Sequence, residues 1–234
     1  IMSKNRILTI EQIKESEKKF ILKNSEEQLL DIAGKKIANF LLKKFKNKSL
    51  LFICGKGNNG QDGIKASKFL KEKITNNVFL VSKTHSKKKL NILQSTIDSH
   101  EIIVDCLFGT GLNRRLSKSY QKIIEMINNS KRRIISVDIP SGLNSDTGTS
   151  QGCSVNASMT ICMGFYKPAH FLNPSKNYCG EKVLLQLPLN IPSKTKPKIY
   201  LLKKDKIYNS LPKHKNSINK YDKGHVAVIG GIMS

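Results

Sequence analysis

Two hydrophobic periods alternate along this chain. Leu29, Leu30, Ala33, Ile37, Phe40, Leu41 and Phe45 recur at helical spacing, which predicts a long amphipathic helix. Leu50–Cys54 is instead a continuous apolar run, the mark of a strand buried on both faces. The same contrast repeats downstream. Val78–Val81, Ile102–Asp105, Ile134–Val137, Met159–Met163 and Lys182–Leu187 read as strands, with helices over Asp62–Lys73, Leu90–Ile97 and Tyr120–Ile127 between the earlier ones. Two start signals precede the first strand. Thr9-Ile-Glu-Gln12 and Ser25-Glu-Glu-Gln28 have capping-box spacing, and the first opens a helix to about Lys23. Alternating strand and helix predict an α/β fold, a three-layer α/β/α Rossmann-like sandwich with a mostly parallel central sheet.

Composition narrows the class. With 38% hydrophobic and 25% charged residues among 234, a packed core is feasible. No apolar run is long enough to cross a bilayer, and the start Ile1-Met-Ser-Lys lacks the apolar core of a signal peptide. Cysteines at 54, 106, 153, 162 and 179 include no C-x-x-C pair. A reducing, cytoplasmic setting is expected. The net charge is +24, but lysine is spread over nearly every segment, only five residues are arginine, and tryptophan is absent. That pattern favours a solvated lysine surface over a nucleic-acid interface. Residues 194–223 hold ten lysines against two aspartates, with prolines at 188, 192, 197 and 212. A lysine-rich linker is therefore expected over 191–224. At 225–234, His-Val-Ala-Val-Ile-Gly-Gly returns to strand-then-glycine, and the chain begins with Ile and stops at Ser234. The sequence reads as a piece cut from something longer.

The chemistry gathers in three glycine loops at strand ends. Gly55-Lys-Gly57-Asn-Asn-Gly60 fits G-x-G-x-x-G between a strand and a helix; alone, this serves an ordinary turn as well as an anion cradle. A dinucleotide fold would add an acid about 20 residues on, and Val81-Ser-Lys-Thr84 has none. Val104-Asp105-Cys-Leu-Phe-Gly109-Thr-Gly111 and Val137-Asp138-Ile-Pro-Ser141-Gly142 each put an aspartate at the end of a strand. A parallel sheet would bring Asn59, Asp105 and Asp138 to one rim, where ligands of open α/β sheets bind.

These three segments, Gly55–Gly63, Val104–Leu112 and Val137–Leu143, resemble the motifs of the YjeF N-terminal family, whose members are NAD(P)H-hydrate epimerases. The resemblance covers about residues 7–190 and implies an epimerase domain over 1–190. Lys220–Gly231 is similar to the opening of the ADP- or ATP-dependent dehydratase, so 225–234 would begin a truncated dehydratase domain of a bifunctional repair protein. The implied substrate is damaged nicotinamide cofactor, NADHX or NADPHX, hydroxylated at C6 of the reduced ring; the epimerase interconverts its R and S forms. The implied substrate-binding residues are Asn58, Asn59, Gly60, Gln61, Asp62, Gly109, Thr110, Gly111, Leu112, Asn113, Arg114, Arg115 and Asp138. A potassium ion is implied on Asn59, Asp105 and Ser141, an all-oxygen set suited to a hard cation. Asp138 is the expected acid and base, and Asp138→Asn is expected to stop epimerisation while leaving folding intact. A role for Lys167 stays open, His170 reads as a polar surface residue, and Gln61 stands where the family has glycine. A homodimer is implied. The alternative is a non-catalytic nucleotide- or RNA-binding scaffold of the same fold.

Overall fold

The computed structural model describes residues 6–82, 86–191, 199–202 and 207–209. The chain divides into two units, Ile1–Tyr200 and Leu201–Ser234. Most of the predicted linker, and all of the predicted second-domain start at 225–234, lie outside the described residues.

Short strand β1 (Arg6–Ile7) leads into α1 (Ile10–Lys23) and α2 (Glu26–Phe45). Both helices start where their caps predict. Thr9 and Gln12 form a reciprocal box, and Ser25 accepts the Gln28 N–H. Then come β2 (Leu50–Cys54), α3 (Asn58–Leu70), β3 (Asn76–Leu80), α4 (Lys87–Asp98), β4 (Ile102–Cys106), α5 (Lys118–Asn129), β5 (Arg133–Val137), β6 (Met159–Met163), β7 (Glu181–Leu185) and β8 (Ile199–Tyr200). The central sheet has the order β3-β2-β4-β5-β6-β7, and every neighbouring pair is parallel. β8 lies within the segment expected as linker, yet it pairs antiparallel with β1.

Period-two alternation inside the strands sorts the core into two layers. Leu50, Phe52, Val104, Ile135 and Ile161 point to α2 and α3, where Ile37, Leu41 and Ala66 meet them. Leu51, Ile53, Ile103 and Ile134 point to the other face, against Leu93 and Ile97 of α4 and Ile123 and Ile127 of α5. Both faces are therefore covered, as the continuous apolar strands require.

One boundary differs from the pattern with functional consequence. The helix expected from Asp62 begins at Asn58, so the asparagine pair and Gly60 form its first turn rather than a loop. The reason is steric. A Cβ on Gly60 would fall 2.0 Å from the Gly55 carbonyl oxygen, so two glycines let the helix start tight against the end of β2. Gln61 is exposed on that turn, and its backbone φ is not positive. Its side chain therefore causes no crowding there.

Candidate active site

Strand order reverses around β2: its loop leads into α3 on one face, while the loop after β4 leads on to α5 across the other. Ligand sites of open α/β sheets form in the crevice at such a point. Here the crevice is a cavity of about 530 Å³. Its floor comes from the three glycine loops, and α1 and the start of α2 form a further wall through Ile13, Glu17, Ile21 and Leu29.

Gly109 binds the loops together. A Cβ there would lie 2.9 Å from Asp138 Oδ2 and 3.1 Å from Asn59 Cβ, so the second loop threads between side chains of the other two. Asn59 Nδ2 donates to the Phe108 carbonyl at 3.0 Å. Asp105 is fully buried and fully engaged. Its oxygens accept from Leu107 N–H (3.2 Å), Ser136 Oγ (2.8 Å), Ser141 N–H (2.9 Å) and Ser141 Oγ (2.6 Å). Burial still raises its pKa against these donors. Ser141 Oγ also accepts the Phe108 N–H at 2.9 Å. Asn59, Asp105 and Ser141 thus share one network through Phe108. The side-chain oxygen of Asn59 is buried and has no hydrogen-bond partner. An orphaned carbonyl-type oxygen in the same network as a carboxylate and a hydroxyl fits a hard cation.

Asp138 sits just past β5 with φ of 69°, a left-handed conformation uncommon for aspartate. The turn aims its carboxylate into the cavity. Oδ2 accepts the Thr110 N–H at 3.1 Å, and Oδ1 pairs with Lys167 Nζ. Lys167 is only 1% exposed, and its ammonium also donates to the Met163 carbonyl at 2.7 Å. The motif around Lys167 leaves its role open; the structure gives it Asp138 as its counter-ion.

His170 corrects an expectation. It is fully buried, not on the surface. Its Nδ1 accepts the Lys167 N–H at 3.0 Å, which leaves Nε2 to carry the proton and donate to the Asp138 carbonyl at 2.9 Å. The neutral imidazole clamps the backbone of both charged residues. Burial first, then the Lys167 charge, push its pKa down to about 3. Its stabilising contribution is therefore present above pH 6.5 and is lost as pH falls toward 3. A slope of about 1.4 kcal/mol per pH unit follows for one proton. Glu17, Asp62 and Asp105 act with opposite sign, since their raised values favour the folded state at low pH. They cancel in a comparison of wild type with His170→Gln. Denaturant titrations at pH 5 and pH 7 should find the wild type losing more stability on acidification than the variant; equal losses would remove His170 from the account.

Ten of the thirteen residues implied for substrate binding line the cavity: Asn58, Asn59, Asp62, Gly109 to Arg114 and Asp138. Gly60 packs on Gly55 instead, and Gln61 and Arg115 are exposed away from the lining. Glu17 was not anticipated. The signal was available: Glu17 lies between Ile13 and Ile21 at four-residue spacing, an acid set in an apolar helix stripe. Burial and nearby Asp138 raise its pKa. Asp62 is raised well above the usual carboxylate range, first by burial and then by Asp138 and Glu17.

A family model described as YjeF-related protein N-terminus matches residues 26–96 and 74–169. A bifunctional NAD(P)H-hydrate repair enzyme Nnr of Dictyoglomus turgidum is 29% identical over 97% of this chain and 49% of its own length. An NAD(P)H-hydrate epimerase of Elusimicrobium minutum is 30% identical over 70% of this chain and 86% of its own. The crystal structure of the yeast protein ynu0 superposes with a TM-score of 0.63 at 19% identity, covering 76% of this chain and 87% of that one. The chain spans about half the length of the bifunctional relative from Dictyoglomus.

Proposed function

The chain belongs to the family of YjeF-related protein N-termini, and from that premise we propose that it epimerises hydrated NADH and NADPH at C6 of the reduced nicotinamide ring. The observation that carries the reading is the Asp138–Lys167 pair, buried at a strand end and facing a cavity of ligand size. Inverting C6 moves a proton to and from oxygen, whether hydroxide leaves and returns or the ring opens and closes. A held carboxylate serves such a step as base or as acid. Asp138 is that group. Lys167 fixes its orientation and supplies positive charge beside the developing anion. A scaffold would have no use for this arrangement, which burial makes costly.

Asn59, Asp105 and Ser141 would hold a potassium ion. When bound, the ion supplies positive charge near Asp62, Asp138 and an anionic ligand. Such binding would stabilise the folded protein by mass action. The melting midpoint should rise in potassium chloride relative to choline chloride at equal ionic strength, and Asn59→Leu should abolish that difference. An unchanged difference would take Asn59 out of the ion site. A homodimer is the proposed assembly on the family resemblance alone. The proposed compartment is the cytoplasm, supported by five free cysteines. No described helix is long and apolar enough to cross a membrane.

The test is conversion of R-enriched hydrate, followed by chromatography. The protein should bring R and S to equilibrium far faster than buffer does. A rate equal to the uncatalysed one would defeat the proposal.

A further inference from the structure

Inversion by loss and return of hydroxide has a stereochemical requirement that one carboxylate on one face does not meet. If the hydroxyl leaves from one face and water returns to the other, a proton must be delivered on the first face and removed on the second. The strand-end wall of the cavity carries Asp138 and Lys167. The helical wall, from α1 and the start of α2, offers three titratable groups: Lys14, Glu17 and Glu26. Lys14 and Glu26 are exposed, and Glu26 accepts a hydrogen bond from Asn58. Glu17 is half-buried, and its carboxyl has no hydrogen bond or salt bridge among the described residues. The charged groups acting on it are Lys14 on its own helix, Glu26 on α2, Asp62 on α3, and Asp138 with Lys167 at the strand ends.

We propose that Glu17 is a second catalytic residue, handling the proton on the ring face opposite Asp138. The inference rests on the epimerase reading. For one epimer, the Glu17 carboxyl gives its proton to the C6 hydroxyl as the C–O bond breaks. The N1 lone pair forms the N1=C6 iminium, and water departs. A water then adds from the other face, the π electrons return to N1, and Asp138 takes the released proton. The other epimer runs the same steps backwards. Solvent returns the proton between the two carboxylates, and no oxidant or reductant is needed. The surroundings suit the division: Glu17 lines the cavity with no hydrogen bond of its own among the described residues, while the Lys167 ammonium holds the Asp138 carboxylate on the other wall.

The test is Glu17→Gln in the whole chain, with both epimers offered separately in water enriched in oxygen-18. Epimerisation should fall about 100-fold or more. The epimer whose hydroxyl faces Asp138 should still exchange its C6 oxygen without inverting, while the other should do neither. Affinity for NADPH, measured as a binding probe, should stay within about threefold. Glu11→Gln, on the exposed side of α1, should behave as wild type. The inference is overturned if Glu17→Gln epimerises at the wild-type rate, if both epimers respond alike, or if Asp62→Asn gives the one-sided pattern instead. It is also overturned if the wild type inverts C6 while keeping its original oxygen, because ring opening needs no second face. A wild type that epimerises nothing defeats the functional reading itself, a different result from any of these.

Discussion

Asp138→Asn should lower epimerisation by about 10²–10⁴-fold, the range for losing a general acid–base group, and should also destabilise the protein. From sequence alone the fold is expected to be untouched. The structure revises that, because the substitution strands a Lys167 ammonium that is 1% exposed. Breaking one side of a buried pair costs about 3–5 kcal/mol. Backbone strain adds little, since asparagine tolerates the φ of 69° that residue 138 adopts. The two effects can be separated. Adding Lys167→Met removes the stranded charge and restores an apolar stem of similar shape, so the double variant should regain stability while activity stays absent. Denaturant unfolding and the R-to-S assay, run on both variants, check this. A double variant as unstable as the single one would show that the ion pair is not what Asp138→Asn disrupts.

Asp105→Ala should prevent folding. Asp105 accepts from two serine hydroxyls and two backbone N–H groups, all inside the protein. Removing the carboxylate leaves three donors buried without an acceptor, at about 1–3 kcal/mol each, and leaves the Ser141 hydroxyl only the Phe108 carbonyl at 3.2 Å. The total rivals the whole stability of a domain, about 5–15 kcal/mol. Asp105→Asn keeps one acceptor oxygen and should fold with reduced stability. Circular dichroism and soluble yield distinguish the two. A well-folded Asp105→Ala protein would mean that the loops after β4 and β5 are held by something other than this carboxylate.

The central sheet was legible because its strands are buried on both faces and so read as unbroken apolar runs, Leu50–Cys54 being the plainest. Helix starts with side-chain caps, at Thr9 and Ser25, were legible for the same local reason. The start of α3 was not. Its cap is Gly57, which has no side chain to announce it, and the helix fits only because Gly60 meets the Gly55 carbonyl. β1 and β8 were missed because each is two residues long and their pairing joins opposite ends of the described domain. In the site, Asp105 and Asp138 stood out as acids ending apolar strands. The partners that define their roles come from elsewhere in the chain: Lys167 from beyond β6, His170 from the turn after it, and Glu17 from α1. No local pattern couples residue 17 or 167 to residue 138; only the fold does.

The central claim is that Asp138 and Lys167 meet C6 of the hydrated nicotinamide ring in this cavity. A crystal structure of the Asp138→Asn variant with hydrated NADPH would test it most directly. The C6 hydroxyl should lie about 3 Å from residue 138 or from Glu17, with the ring between α1 and the ends of β5 and β6. A complex with the nicotinamide ring in solvent, and another part of the ligand against residues 138 and 167, would contradict it.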